Sequence, residues 1–250
     1  MKRKLVAALA CRNQGSRLYG KPLQNLDIEK GIRIIDNIID GLNSLNCIDS
    51  IVLGISEGED NQIFKKVAKQ KGVDYVIGDQ IDVLIRLIKC AEKANGTDVF
   101  RVTSESPFLH HMAVDQLWEM HCSQNNDATF YDDIIDGCGF EIIRLSALQK
   151  SHLEGEEKHR SEMCTLYIRE NLNKFKVQKI KAPGHLNRKD LRLTVDNPED
   201  LVICRKIYNE FSHQAPRIDL EEVIVFLDKN LYLKDLVYPF TIQGYETMYK

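Results

Sequence analysis

Apolar residues follow two different spacings along the chain, and the two alternate. Residues 5–10 form an unbroken apolar run, which is typical of a strand buried on both faces of a sheet. Residues 32–45 instead carry their apolar side chains at helical spacing. The alternation continues, with strands predicted over 48–55, 73–77 and 98–102 and helices over 60–71 and 82–94. It predicts an α/β fold with a mainly parallel sheet covered by helices on both faces.

The pattern becomes looser after Pro107. Strands are predicted over 140–145 and 191–195, and helices over 114–122, 162–171, 197–211 and 220–228. No repeat, low-complexity stretch or linker interrupts the chain. We therefore predict a single domain over residues 1–250, with a C-terminal helical extension over about 213–250.

Composition and charge narrow the class of protein. The 250 residues include 34 basic and 37 acidic side chains, a formal net charge of -3. A near-neutral chain lacks the clustered basic face that nucleic-acid binding needs, and no apolar run approaches the roughly 20 residues of a membrane-spanning helix. The seven cysteines are scattered, without a C-x-x-C pair, as in proteins of a reducing compartment. We expect a cytoplasmic protein that binds neither nucleic acid nor membrane.

A loop rich in glycine and cations follows the first predicted strand. It contains Arg12, Arg17 and Lys21, together with Gly15 and Gly20. Glycine lets the backbone approach an anion, and cations with exposed N–H groups can surround a polyphosphate. The P-loop pattern G-x-x-x-x-G-K-[ST] is not matched. Taken alone, the segment is also compatible with a solvated basic loop.

Two carboxylates come directly after other predicted strands. Glu105 follows the strand at 98–102, and Asp196 follows the strand at 191–195. Ligands of a parallel sheet bind beyond the carboxyl ends of its strands, so both carboxylates are expected near the basic loop. Such a pair can bind Mg²⁺, which prefers oxygen ligands. The alternatives are a helix cap for Asp196 and a surface ion pair for Glu105.

Four segments in this order resemble one family. Its patterns R-x-x-S-x-R-L-x-G-K-x-L, R-[IV]-T-G-D-C-P-L, E-H-V-T-x-Y-I and L-R-x-T-[VI]-D-T-P-E-D-L correspond to residues 12–23, 101–108, 162–168 and 191–201. The chain is similar to the acylneuraminate and 3-deoxy-manno-octulosonate (KDO) cytidylyltransferases and to their SpsF-type relatives in polysaccharide synthesis. The resemblance covers about residues 4–230, and four ordered motifs are far more specific than one. It implies a Rossmann-like fold of the nucleotide-diphospho-sugar transferase type.

The resemblance also implies a reaction and a set of site residues. In this family an acceptor oxygen attacks the α-phosphate of CTP, and pyrophosphate leaves. Arg12 and Lys21 would be catalytic, and Glu105 and Asp196 would hold Mg²⁺ as the cofactor. The nucleotide-binding residues would be Ala10, Cys11, Arg12, Ser16, Arg17, Lys21, Gly78, Asp79, Asp82 and Arg86, with the backbone of the first two reading the base. The acceptor-binding residues would be Arg101, Glu141, Thr165 and Tyr167.

The chain departs from the family patterns at several positions. Gly15 occupies the place of a serine, and Glu105 the place of an aspartate. Gly139 stands where the family's G-x-D-x-E segment has aspartate, and Met163 where the family has histidine. The acceptor side is therefore less well preserved than the nucleotide side.

The expected partners are CTP and a small, acidic, sugar-like acceptor, whose carboxylate would meet Arg101 or Arg192. The expected process is surface glycan biosynthesis, and the expected assembly is a homodimer. Two alternatives stay open. One is a catalytically weakened nucleotide- or sugar-binding homologue, suggested by the departures above. The other is a glycosyltransferase, although the sequence lacks a D-x-D metal motif at a strand end.

Overall fold

The chain folds around a seven-stranded mixed sheet. The computed structural model describes residues 2–15 and 17–248, with side chains up to residue 241. The sheet has the strand order β5-β4-β1-β6-β8-β7-β9, and β2 and β3 form a separate hairpin. The strands are β1 (Leu5–Cys11), β2 (Asn25–Asp27), β3 (Ile32–Arg33), β4 (Ile48–Ser56), β5 (Asp74–Gly78), β6 (Asp98–Arg101), β7 (Ala128–Asp133), β8 (Phe140–Arg144) and β9 (Val177–Lys181).

Helices cover both faces of the sheet. They are α1 (Ile34–Asn43), α2 (Ile63–Lys71), α3 (Val83–Lys93), α4 (Val114–Ser123), α5 (Leu145–Glu154), α6 (Leu166–Glu170), α7 (Pro198–Glu210), α8 (Leu220–Lys229) and α9 (Leu231–Met248). Alternate side chains of β1 point to opposite faces. Leu5 and Leu9 pack in one core with α1, α2, α4, α7, α8 and α9. Val6 and Ala8 pack in the other with α3, α5 and α6. This arrangement confirms the α/β prediction and explains the unbroken apolar run.

Strand β8 is the one that makes the sheet mixed. It runs antiparallel to both β6 and β7, whereas the pairs of β1 with β4 and β6, and of β4 with β5, are parallel. In the β6–β8 pair, Arg101 at the carboxyl end of β6 lies opposite Glu141. Because β8 is reversed, its beginning lies at the edge of the sheet where the parallel strands end. Side chains that precede and open β8 thereby reach the same edge.

The second half of the chain differs most from the sequence prediction. Residues 191–195 were predicted as a strand, but they form only one isolated bridge, between Arg192 and Asp136. Strands β7 and β9 and helix α5 were not predicted, whereas α9 lies within the predicted C-terminal helical extension. The helix predicted over 162–171 is limited to α6, and α7 begins in a capping box formed by Asn197 and Asp200. Asp196 is therefore not the helix cap that the sequence left as an alternative.

The state of the cysteines and the character of the helices can be compared with the sequence expectations. All seven cysteines are separate thiols, and five of them are buried. In the part of the chain that the structure describes, no helix is both long enough and apolar enough to cross a membrane.

Candidate active site

A cavity of about 760 Å³ opens at the carboxyl edge of β1 and β6. It lies between the loops after these strands, the segment before β8, and the start of α6. Most of the residues selected from the sequence line it: Ala10, Arg12, Arg17, Lys21, Arg86, Arg101, Glu105, Glu141, Thr165 and Asp196. Ser16, the other nucleotide-binding residue predicted in the basic loop, lies outside the described residues. Segments that are distant in the sequence thus meet in one site.

The basic loop is a compact turn held to the body of the protein. The backbone N–H of Gly20, a residue with φ 61°, donates to the carbonyl of Asn13. The N–H of Asn13 in turn donates to the side chain of Asn61, at 2.8 Å. A Cβ at Gly15 would lie 2.4 Å from the carbonyl oxygen of Leu18. The loop therefore excludes a serine at residue 15 unless its backbone shifts, which accounts for that departure.

Each described cation of the loop is paired with a carboxylate across the cavity. Arg12 forms an ion pair with Glu162. The Lys21 Nζ lies 2.5 Å from Asp196 Oδ1, and Arg17 lies 3.3 Å from the same oxygen. Burial raises the pKa of Asp196, but the hydrogen bond from Lys21 and the neighbouring cations outweigh it and hold the pKa below its ordinary value. An incoming polyphosphate would meet cations that already have anionic partners.

Glu105 lies beside Asp196 but differs in its contacts. The two segments are joined where the N–H of Val195 donates to the carbonyl of Glu105, at 3.0 Å. Among the described residues, the carboxylate of Glu105 has no hydrogen-bond or ion-pair partner. Burial, and secondarily the charge of Asp196, raise its pKa above the ordinary value, against the opposing charge of Lys21. This half-buried carboxylate faces the cavity and can accept a cation.

Arg192 holds the other side of Asp196. It is 2% exposed, and its Nη2, Nη1 and Nε bond the carboxylates of Asp196, Asp136 and Asp200 respectively. All three of its nitrogens are thus engaged by protein carboxylates. Arg192 lines the cavity, and its contact with an acceptor carboxylate stays a prediction that would require one of these ion pairs to change. Asp136 was not selected from the sequence, and burial raises its pKa to about 6.

A buried carboxylate organises the opposite end of the cavity. Glu141 is 2% exposed. Its carboxylate oxygens accept hydrogen bonds from the guanidinium groups of Arg101, at 2.7 Å, and Arg169, at 2.5 Å, and from the hydroxyl of Thr165, at 2.8 Å. Burial raises its pKa, but the two arginines together lower it to about 2. Arg169 also pairs with Asp132, at 2.7 Å. Arg169 was not selected from the sequence, although it lies four residues after Thr165 and so shares its helical face.

Tyr167 is not part of this site. Its hydroxyl donates to Glu154 at 2.7 Å and accepts from Lys174 at 2.7 Å. It does not line the cavity, because two residues along a helix from Thr165 the side chain points to another face. The prediction of Tyr167 as an acceptor ligand is corrected accordingly.

Arg86 is buried beneath the nucleotide side of the cavity. It is 1% exposed, and its Nη1 donates to the carbonyls of Cys11 and Gly54, at 3.3 and 3.0 Å. A Cβ at Gly78 would lie 2.8 Å from the Cγ of Arg86, so the arginine stem occupies the space that a larger residue would need. Burial lowers the pKa of Arg86. The carbonyl of Ala10 also has a donor, the Ser104 hydroxyl at 2.9 Å. The backbone of Ala10 and Cys11 was predicted to read the base. Both of their carbonyls already accept a hydrogen bond from the protein, and Cys11 does not line the cavity.

The two aspartates of the loop after β5 shape that loop. Asp79 accepts from the N–H groups of Ile81 and Asp82, both at 2.8 Å. Asp82 caps α3 by accepting from Ile85, and it contacts His152 at 2.8 Å. The residues of this loop that line the cavity are Gln80 and Ile81. Gly78, Asp79 and Asp82 themselves do not line the cavity, and the two carboxylates support the loop that does; their nucleotide-binding role stays a prediction.

Gly139 and Met163, the two departures from the family patterns on the predicted acceptor side, both line the cavity but differ in their neighbours. Gly139 lines the cavity, and a Cβ there would lie 2.4 Å from the backbone oxygen of Tyr131. An aspartate at residue 139 would require the strand beside it to move. Met163 also lines the cavity, next to Glu162. The end of the cavity predicted to bind the acceptor thus has a methionine and a glycine where the family patterns have polar side chains, and the space at the glycine is filled by β7.

Comparisons with known proteins agree with this geometry. The family model described as cytidylyltransferase matches residues 7–236. An uncharacterized protein of Methanocaldococcus jannaschii is 27% identical over 234 residues, covering 93% of this chain and 94% of its own. The spore coat polysaccharide biosynthesis protein SpsF of Bacillus subtilis is 25% identical over 227 residues, covering 89% of this chain and 93% of its own.

A solved structure supports the same fold. The cytidylyltransferase of Leptospira borgpetersenii aligns with a TM-score of 0.82 at 20% identity, over 93% of this chain and 96% of that one. The family match spans the basic loop, both carboxylates and the acceptor end. The chain belongs to the cytidylyltransferase family and has the fold of a nucleotidyltransferase enzyme.

Proposed function

We propose that this protein transfers a cytidine monophosphate group from CTP to a small sugar-like acceptor and releases pyrophosphate. The observation that carries the proposal is the meeting of Arg12, Arg17 and Lys21 with Glu105 and Asp196 in one cavity. Cations on one wall and carboxylates on the other suit a triphosphate that binds together with a divalent cation. The family match, to cytidylyltransferases, supports CTP as the nucleotide.

The basic loop would bind the triphosphate by exchange of ionic partners. Arg12 would leave Glu162, and Lys21 and Arg17 would leave Asp196, to contact phosphate oxygens. Cations placed where charge develops on a leaving pyrophosphate lower the barrier more than cations that bind the ground state alone. Arg12 and Lys21 are therefore the proposed catalytic residues.

Glu105 and Asp196 fit the Mg²⁺ site that the family implies. Glu105 offers a carboxylate without a protein partner among the described residues, and Asp196 is held next to it. No group of three or more His, Cys, Asp or Glu side chains suited to a metal occurs in the described part of the chain. Two carboxylates suffice for Mg²⁺, which usually keeps several waters and shares phosphate ligands. When bound, it would neutralise phosphate charge during the attack.

The acceptor would bind at the end of the cavity that Glu141 organises. The guanidinium groups of Arg101 and Arg169 support an acidic, sugar-like acceptor, and Thr165 adds a hydroxyl. The similarity to a spore coat polysaccharide biosynthesis protein supports a role in surface glycan biosynthesis. A sugar of this kind would be activated in the cytoplasm, where CTP is made.

The decisive experiment is pyrophosphate release from CTP and Mg²⁺ with a panel of sugar acids, sugar phosphates and phosphonates. GTP, UTP and ATP serve as matched nucleotide controls. We expect release that depends on CTP, on the metal and on one class of small acid. Release with another nucleotide would overturn the CTP assignment, and release with none would overturn nucleotidyl transfer.

A second candidate is a homologue that binds nucleotide without turning it over. Met163 and Gly139 favour it, because they replace polar groups at the acceptor end. Thermal shift distinguishes the two, since a nucleotide at 100 times its Kd stabilises the fold by about 2.7 kcal/mol whether or not it reacts. Stabilisation by CTP without pyrophosphate release, for every acceptor tried, would support this second candidate.

A further inference from the structure

Helix α9 contributes an aromatic side chain to the cavity. Phe240 lines the cavity together with the loops and strand ends described above. The family model ends at residue 236, so Phe240 lies beyond the part of the chain that matches it. The four family patterns found in the sequence also end well before this helix. Phe240 is therefore a part of the site that family membership alone does not specify.

The helix turns its apolar face towards the protein, and Phe240 lies near the end of that face. Leu233 and Val237 are fully buried in the core shared with α7 and α8. Phe240 is three residues after Val237, so the helical repeat places it on the same face, and Thr241 beside it is 1% exposed. Phe240 itself is only partly buried and belongs to neither of the two cores that the described residues form. Its ring therefore presents apolar surface to the cavity.

The contacts of α9 place the helix beside the chain that enters β8. Near its beginning, the Nζ of Lys234 lies 2.8 Å from Asp190. The segment before Asp190 is joined to the chain that precedes β8, where the N–H of Ile135 donates to the carbonyl of Leu186 at 3.0 Å. The loop after β5, on the predicted nucleotide side, is four strands from β8 in the sheet order. At about 4.8 Å between strands, this separation is roughly 19 Å. These contacts favour the acceptor side of the cavity for Phe240.

We propose that the ring of Phe240 is the surface on which the acceptor packs, and that it determines which acceptors the site selects. This role rests on the proposed function. An acidic, sugar-like molecule has a charged group at one place and C–H groups on a face of its carbon skeleton. Arg101 and Arg169 would meet the charged group, and Phe240 would meet the C–H face. Small-molecule sites typically combine apolar walls with a few polar groups in this way.

The ring also excludes some acceptors. Phenylalanine has no hydrogen-bonding group, so an acceptor hydroxyl directed at the ring would lose water without gaining a partner. Met163, which also lines the cavity, is likewise apolar. The site should therefore select small acids whose carbon skeleton lacks a hydroxyl on the face that contacts Phe240. Epimers that place a hydroxyl there should be disfavoured by up to about 100-fold in kcat/KM.

The kinetics of Phe240 variants test this role, with the acid that supports pyrophosphate release. We expect Phe240→Ala to raise the acceptor KM by about 10-fold or more, because an apolar contact is lost, and to leave the KM for CTP within about 2-fold. Phe240→Tyr keeps the ring and should stay within about 3-fold of the original acceptor KM. Tyr238→Ala, at a 62% exposed position of the same helix outside the cavity lining, should change neither constant. An unchanged acceptor KM in Phe240→Ala, or a rise in the KM for CTP alone, would overturn the proposal.

A fluorescent reporter tests the contact without turnover. Phe240→Trp introduces an indole at the site, and the original protein, whose single tryptophan is Trp118, supplies the background emission. The probes are CTP with Mg²⁺, and then each sugar acid, sugar phosphate and phosphonate of the panel added to that complex. We expect one class of acid to change the emission and CTP with Mg²⁺ alone to leave it unchanged. A response to CTP with Mg²⁺ alone, or to no compound of the panel, would overturn the proposal.

The two experiments also separate the role of Phe240 from the proposed activity. An acid that changes the emission without any release of pyrophosphate would argue against nucleotidyl transfer but would support the contact with Phe240. Conversely, transfer whose acceptor KM is the same in Phe240→Ala would support the activity and overturn the role of Phe240. Circular dichroism verifies that each variant is folded, which is expected because Phe240 belongs to neither core.

Discussion

The Nζ of Lys21 lies 2.5 Å from Oδ1 of Asp196, so a cation assigned to the triphosphate and a carboxylate assigned to the metal are bound to each other. On the opposite side, Arg192 bonds the second oxygen of Asp196. Asp196 is thus held from both sides before any substrate enters. Under the proposed function, nucleotide binding would separate Lys21 from Asp196, while Arg192 would keep the carboxylate in place.

Replacement of Lys21 tests the role of the basic loop in catalysis. We expect Lys21→Ala to lower the rate of pyrophosphate release by about 10²-fold or more, because a cation is lost where charge develops. The protein should stay folded, since Lys21 belongs to neither core. Lys66→Ala, an exposed lysine of α2 outside the cavity lining, is the matched control. A near-normal rate in Lys21→Ala would contradict the phosphate role.

Replacement of Asp196 separates its chemical role from a structural one. Asn197, not Asp196, caps α7, so Asp196→Asn should leave that helix intact and cost about 1–2 kcal/mol of stability through weaker ionic hydrogen bonds. Turnover should fall by about 10²-fold. Binding of Mn²⁺ in the presence of CTP, measured by electron paramagnetic resonance, should weaken as well. Unchanged Mn²⁺ binding would show that Asp196 is not a metal ligand.

The pKa of Glu141 predicts how stability depends on pH. Its pKa is about 2 in the folded protein, against an ordinary 4.5, so the ionised carboxylate stabilises the fold. That contribution, about 3 kcal/mol, is fully present above about pH 4.5 and is lost as the pH falls towards 2. Urea unfolding should show Glu141→Gln less stable than the original protein at pH 7, with the gap closing in acid. The assignment of a low pKa to Glu141 would be contradicted if this difference in stability did not change with pH. It would also be contradicted if the control Glu29→Gln, at an exposed residue, showed the same dependence on pH.

The ion pair between Arg12 and Glu162 should compete with nucleotide binding. Glu162→Gln removes the competitor, so the affinity for CTP measured by isothermal titration should increase. The pair is exposed, so the gain should be small, at most about 5-fold. Glu157→Gln, an exposed glutamate nearby, should have no effect. Weaker CTP binding in Glu162→Gln would instead indicate that Glu162 supports the bound nucleotide.

The surroundings of Gly139 predict a cost for any side chain there. Gly139→Ala places a Cβ 2.4 Å from a backbone oxygen of β7, and should destabilise the fold by about 1–3 kcal/mol. Gly184→Ala is the control, because a Cβ there meets nothing within 4 Å. Equal stability of the two variants in thermal unfolding would mean that the strand yields easily. An aspartate could then be restored at residue 139 to test the acceptor side.

Most of the first half of the fold could be predicted from sequence because local patterns specify it. The buried run of β1, the helical spacing of α1 and α3, and the motif around Arg12 each lie within a short segment. The second half depends on contacts between distant residues. Residues 191–195 alternate like a strand, but they form a single isolated bridge, between Arg192 and Asp136. Their apolar pattern therefore reflects burial and not membership of a sheet.

Some site residues could not be predicted from sequence because they depend on contacts between distant residues. Asp136 became visible only when the fold brought it to Arg192. Helical spacing alone could have distinguished Tyr167 from Arg169, once Thr165 was assigned to the cavity. Asp79 and Asp82 illustrate a different ambiguity, because a carboxylate in a loop can serve its own backbone as well as a ligand.

The reversed direction of β8 bears on how this enzyme could acquire new specificity. The nucleotide side is built from chain that leaves β1 and β5, whereas Gly139 and Glu141 reach the acceptor side in chain that enters β8. The two sides are therefore encoded by separate stretches of sequence and attached to the sheet at opposite ends of their strands. Within that chain, Asp136 bonds Arg192, which holds Asp196, so a change at residue 136 would also reach the proposed metal side. Under the proposed function, new acceptor specificity would therefore have to arise at residues 138 and 139, in α6 and at Phe240, where the chain can vary without disturbing that contact.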